Sequence, residues 1–123
     1  MKPRILIIDR SIEVQKRIAH TLDSAFTVDL TSSGSLAILL MKDYRYACIV
    51  ASYELPNRHA GCGILQDLRR QPGGRYVPII ATASKTHPQP EAVTAEGFAA
   101  LLRLPEDIGR LEHTISEMIE SWD

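Results

Sequence analysis

Three short segments put chemistry-bearing side chains directly after apolar runs. Asp9-Arg10 follows Ile5–Ile8, Ser52-Tyr53-Glu54 follows Ala47–Ala51, and Thr82 follows Val77–Ala81. A carboxylate so placed can hold a cation, pair with a guanidinium or accept backbone N–H groups, and Asp9 and Glu54 are the two on offer. The Ser52 hydroxyl is a poor nucleophile unless a base sits beside it, so it reads as a neutral polar side chain. Arg10 carries five donors that never deprotonate and must find acceptors. His20, His59, His87 and His113 lack the spacing of metal ligands and read as solvated. Cys62, between Gly61 and Gly63, is the candidate for a redox thiol, although an ordinary free thiol is the expected reading. Arg69, Arg70 and Arg75 form a small basic cluster, expected as a solvated helix end. Gly73-Gly74 reads as a helix terminator, not a phosphate loop.

Composition narrows what these groups can serve. At 123 residues the chain is read as one domain, 1–123, of a size that builds its own core. Fourteen basic residues against 15 acidic ones leave a formal charge of −1, which argues against a nucleic-acid groove or a polybasic membrane surface. No apolar run approaches the ~20 residues that cross a bilayer, and Ile5–Ile8 is too short for the core of a secretory signal. The expected location is cytoplasmic, with Cys48 and Cys62 as free thiols rather than a disulfide.

The elements that must position the site alternate along the chain. Ile5–Ile8, Ala47–Ala51, Val77–Ala81 and Ala99–Leu102 are short apolar runs of the kind required of strands buried on both faces. Phe26–Thr31 alternates at period two, a strand more exposed on one side. Between them, Val14, Ile18 and Leu22 mark a helix that Ser11 can cap, and Leu36–Met41 favours helix by propensity. Ile64, Leu65 and Leu68 mark a third helix. Pro90 to Gly97 bounds a short fourth, and Ile108 to Ile119 carries the last apolar stripe. Strands alternating with helices at this spacing imply right-handed crossovers, a parallel sheet and helices on both faces. Functional groups then gather at the carboxyl ends of the strands, near Asp9, Ser52, Thr82 and Leu104.

In these residues the chain resembles the receiver domain family of bacterial two-component signalling, from Ile5 to Ile119. The segments in register are Ile7-Ile8-Asp9-Arg10, Ile49 to Pro56, Ile79 to Ala83 and Gly97 to Pro105. The resemblance implies an α/β, flavodoxin-like receiver fold: a doubly wound five-stranded parallel sheet in the order 2-1-3-4-5 with five helices. It also implies a pocket in which an acidic pair binds Mg²⁺, an aspartate accepts phosphate, and a Thr and a Lys contact the phosphoryl group. Here Arg10 stands for the second acid, Ser52 for the phosphoacceptor aspartate and Leu104 for the lysine, while Thr82 matches. The loop from Pro56 to Gly61 is one residue longer than the family's, and Leu101 stands where active members often carry a switching aromatic.

These substitutions predict a silent pocket. Phosphoryl transfer to a carboxylate needs a nucleophilic oxygen, a divalent cation and a positive group for the transferred charge. Asp9, Arg10, Ser52 and Leu104 together are formally neutral, or −1 with Glu54, and offer Mg²⁺ too few hard oxygens. The expectation is therefore a vestigial pocket of Asp9, Arg10, Glu54, Thr82 and Leu104 around Ser52. It has no catalytic residue, metal or cofactor, and Arg10 turns inward as a surrogate for the metal. Thr82 is expected to bond only the local backbone. The function so implied is a stand-alone, non-enzymatic pseudo-receiver that regulates a protein partner by binding, the partner being a kinase, an output protein or another regulator. It would be a monomer or weak dimer and use the surface around Glu91–Glu96, Arg103 and Arg110; Trp122 is a candidate exposed contact. The alternative is a phosphoaccepting regulator in a phosphorelay, using Ser52 or Glu54.

Overall fold

The computed structural model describes residues 2–54, 61–84 and 88–121, with the backbone alone at 61–63. Five strands form one parallel sheet: β1 (Arg4–Ile8), β2 (Thr27–Thr31), β3 (Cys48–Ser52), β4 (Ile79–Ala83) and β5 (Ala100–Arg103). Their order is β2-β1-β3-β4-β5, the expected one. Helices α1 (Ile12–Leu22), α2 (Gly34–Asp43), α3 (Gly61–Arg69) and α4 (Pro90–Glu96) fill the four crossovers, and α5 (Leu111–Ser121) follows the last strand.

The apolar runs explain this layering. Side chains alternate across a strand, so Leu6 and Ile8 point to one face of β1 while Ile5 and Ile7 point to the other. Leu6, Ile8, Ile49 and Ile79 meet Ala37 and Met41 of α2, Leu65 and Leu68 of α3 and Val93 of α4. Ile5, Ile7, Val50 and Ile80 meet Ile18 and Leu22 of α1 and Leu111 and Ile115 of α5. Each fully buried Ile or Leu here contributes about 1.5–3 kcal/mol of transfer free energy. β2 lies at the edge, which is why its pattern alternates instead of running continuously apolar.

Element ends follow local chemistry. Ser11 caps α1 as expected, its Oγ accepting from the Val14 N–H at 3.2 Å, and Ser33 caps α2 by the same bond to Leu36. Gly97 ends α4 with φ of 117°, a left-handed conformation that strains any residue bearing a Cβ. Pro72–Gly74 is a 3₁₀ turn in which Gly74 packs against the Leu68 carbonyl, leaving no room for a Cβ. β4 starts at Ile79, two residues later than the apolar run suggests, because Pro78 has no N–H to give the ladder. The last stripe is a 3₁₀ turn at Ile108–Arg110 leading into α5.

Candidate functional site

Parallel strands end on one edge of the sheet, so the loops after β1, β3, β4 and β5 converge. Ile8 pairs with Ala51, Ser52 with Thr82 and Ala83 with Arg103. The loops enclose a cleft of about 390 Å³ lined by Asp9, Arg10, Ser52, Glu54, Thr82 and Leu104. All six residues singled out from the sequence thus share one cavity, completed by Ser11 and Val14 of the first loop and helix and by Ala83 and Ser84 after β4.

The bonds inside differ from expectation. Asp9 Oδ1 accepts the Ser11 N–H at 2.9 Å, and its carbonyl accepts Gln15 Nε2 at 2.6 Å. Burial pushes the Asp9 carboxyl above the usual aspartate range and nearby Glu54 pushes it further, while the Ser11 bond pulls it back. Arg10 is exposed at the rim and makes no ion pair with Asp9 or Glu54. The inward Arg10 surrogate is therefore corrected. Glu54 instead takes the Ser84 N–H, and Ser84 Oγ lies 2.9 and 3.0 Å from its two carboxylate oxygens. A neutral, adjacent serine satisfies Glu54 without the entropy cost of fixing a long arginine.

Ser52 Oγ accepts the Glu54 N–H at 3.2 Å, a local turn bond. Thr82 is 2% exposed and lines the cleft. Its backbone carbonyl accepts Tyr53 N–H at 2.8 Å. Leu104, 8% exposed, precedes a cis bond to Pro105 and forms an apolar wall.

A divalent cation fits this donor set poorly. Asp9 and Glu54 each already accept N–H groups, position 52 supplies no carboxylate, and no group of three His, Cys, Asp or Glu side chains converges among the described residues. Mg²⁺ asks for a near-octahedral oxygen shell. No chemical step is assigned to a metal here.

Other sequence candidates fall elsewhere. Cys48 is buried in β3, and burial pushes its thiol up to about 12. His20 and His113 are exposed, His113 lying 3.1 Å from Glu117. Arg69 is not a solvated helix end: half-buried, it donates to the carbonyls of Gly74, Val77 and Gly97, and burial lowers its pKa. Arg75 is exposed. Residues 56–60 of the loop before Gly61, the Cys62 side chain, His59, His87 and Trp122 lie outside the described residues. Reading the sequence missed Gln15, whose only signal is a polar side chain beside the Val14–Ile18 stripe, and Ser84, which carries none.

No family model and no curated protein sequence matches the chain. Solved structures do. The receiver domain of sensor histidine kinase PA1611 from Pseudomonas aeruginosa, with magnesium coordinated in its active-site cleft, is 25% identical with a TM-score of 0.84, covering 98% of this chain and 100% of that one. Chemotaxis response regulator CheY4 of Vibrio cholerae is 22% identical with a TM-score of 0.79 over 94% and 99% of the two chains. A CheY-like receiver domain from Methylobacillus flagellatus is 22% identical at 0.81, over 96% and 99%. In strand order, layering and end-to-end coverage, this chain has the fold of response-regulator receiver domains.

Proposed function

We propose that the chain is a receiver-like signalling module that regulates a protein partner by binding, with no phosphorylated aspartate and no reaction of its own. The observation that carries this reading is Ser52. It stands at the end of β3 facing the cleft, and its hydroxyl is engaged with the Glu54 N–H rather than with a base. Leu104 adds an apolar wall where charge stabilisation would be needed, and Arg10 faces solvent.

The partner is a kinase, an output protein or another regulator. The surface offered is that of α4, β5 and α5, where Glu91 and Arg110 are exposed. Arg103 there is tied to the Pro88 carbonyl and its N–H to Asp107. The near-neutral charge does not favour nucleic acid, and no described helix is long and apolar enough to cross a membrane.

Incubation with acetyl phosphate, or with beryllofluoride and Mg²⁺, tests the reading. Intact mass, amide spectra and melting temperature should stay unchanged. A phosphoryl mass increment, or a stable beryllofluoride adduct, would overturn it in favour of a phosphoaccepting regulator using Ser52 or Glu54.

A further inference from the structure

The edge of the sheet opposite the cleft carries cations without acidic partners. The segments that enter β1, β3 and β4, with the end of α2, line three depressions of about 530, 380 and 410 Å³. They run together: Arg45 lines all three, Tyr46 and Ala47 join the first to the second, and Pro72 and Gly73 join the second to the third. Lys2, Arg4, Lys42 and Arg45 lie along this furrow against Asp43, and Asp29 stands behind Arg4. The furrow is therefore formally two charges positive on a chain of −1. Among the described residues no carboxylate lies within ion-pair distance of Lys2, Lys42 or Arg45. The floor is fixed: Asp29 Oδ2 accepts Arg4 at 2.8 Å and the Tyr46 hydroxyl at 2.7 Å, and the Arg4 guanidinium lies 4.3 Å from the centre of the Tyr44 ring. Tyr44 and Tyr76 keep apolar ring surface in solvent, at 44% and 75% exposure.

We propose that this furrow docks an extended acidic segment of a protein partner. Connected depressions suit an extended chain, whose carboxylates meet Lys2, Lys42 and Arg45 while apolar side chains between them cover the tyrosine rings. Arg45, common to all three depressions, is the central contact, and its planar fork matches a carboxylate in two parallel hydrogen bonds. A nucleic acid or an anionic membrane spreads its charge far beyond the furrow. Glu117 and Glu120 flank Ile119 where the furrow meets α5, so such a polyanion meets repulsion that a short segment avoids. The proposal rests on the reading of the chain as a protein-binding module and adds a second surface to it, at the amino ends of the strands.

The test is amide NMR titration of the whole chain with the acetylated, amidated hexapeptide EELEEL, its uncharged counterpart QQLQQL serving as control. Saturable shifts are expected at Tyr44, Arg45, Gly73 and Tyr76, and none at Ser52 or Ser84. Arg45→Gln should weaken binding about threefold to fivefold, the size of one exposed charge interaction, and Arg45→Glu by about tenfold or more. Raising the sodium chloride concentration should weaken it further. Arg45 is exposed, so both variants should melt as wild type does. Single-stranded oligothymidylate and phosphatidylserine vesicles are the competing probes. Tighter binding of either one than of EELEEL at physiological salt would overturn the assignment to an acidic peptide. No saturable shift with EELEEL, equal binding of QQLQQL, or wild-type affinity in Arg45→Glu would overturn the proposal as a whole. Phosphorylation by acetyl phosphate would defeat the proposed function while leaving binding at the opposite edge as it is, so the two failures are distinguishable.

Discussion

Tyr53 reaches from the end of β3 to α4, its hydroxyl donating to Glu96 Oε1 at 2.8 Å. Its ring packs against Phe98 at 6.0 Å between centroids, and Leu101 joins the same apolar cluster. Glu96 Oε2 is buried with no partner among the described residues, so the Tyr53 bond carries much of what offsets the burial of that carboxylate. Tyr53 sits between Ser52 and Glu54, whose side chains face the cleft. One tripeptide therefore serves the cleft and holds the fourth helix.

Tyr53→Phe should keep the ring packing and remove only the hydroxyl. A loss of about 1–2 kcal/mol is expected, because Glu96 Oε1 then loses its hydrogen-bond partner beside the already unpaired Oε2. Chemical denaturation of the variant against wild type measures it. An unchanged midpoint would mean that solvent or another group satisfies Glu96.

Arg10→Ala should leave stability within about 0.5 kcal/mol of wild type, since the side chain is exposed and forms no ion pair among the described residues. Thermal melting with and without Mg²⁺ decides this. A loss of several times that size would restore Arg10 as an internal strut of the cleft.

Asp9→Asn should stabilise the fold at neutral pH. Folding raises the Asp9 pKa, chiefly by burial, so the native state binds this proton more tightly than the unfolded chain. The charged carboxylate is then a cost that is full above the folded pKa and fades as pH falls. The variant, whose amide oxygen can still accept the Ser11 N–H, should gain no more than about 1 kcal/mol at neutral pH because the group is half-exposed. The gain should vanish below the ordinary aspartate value of 3.8. Urea midpoints of both proteins across that range provide the check, and a gain that grows toward acid would contradict it.

Cys48 should be chemically silent in the native protein. It is fully buried in β3, and its thiol stays protonated to about 12. In a Cys62→Ser variant, Ellman's reagent should find no thiol until denaturant is added. Prompt native labelling would show that β3 opens readily.

Which residues meet at the cleft was legible without coordinates, for a simple reason. Ile5–Ile8 and Ala47–Ala51 are too uniformly apolar for anything but strands covered on both faces, and covered parallel strands all finish on one edge. Once the periods placed the strands, Asp9, Ser52, Thr82 and Leu104 had to converge. Ser11 and Pro90 were legible too, because a cap and a first-turn proline act through bonds only a few residues away.

What the side chains do to each other was decided by the tertiary structure. Glu54 bonds Ser84 across 30 residues of sequence and Tyr53 bonds Glu96 across 43, while the adjacent Arg10 turns to water. Arg69 reads in sequence as one of three surface arginines, yet it points inward to three backbone carbonyls while Arg75 stays exposed. Periodicity reports which face of an element is buried, and it does so from composition alone. It holds no record of rotamers, or of the loop geometry that brings one donor rather than another within about 3 Å of an acceptor. The choice between Arg10 and Ser84 as partner of Glu54 turns on that distance, and only the packed chain sets it.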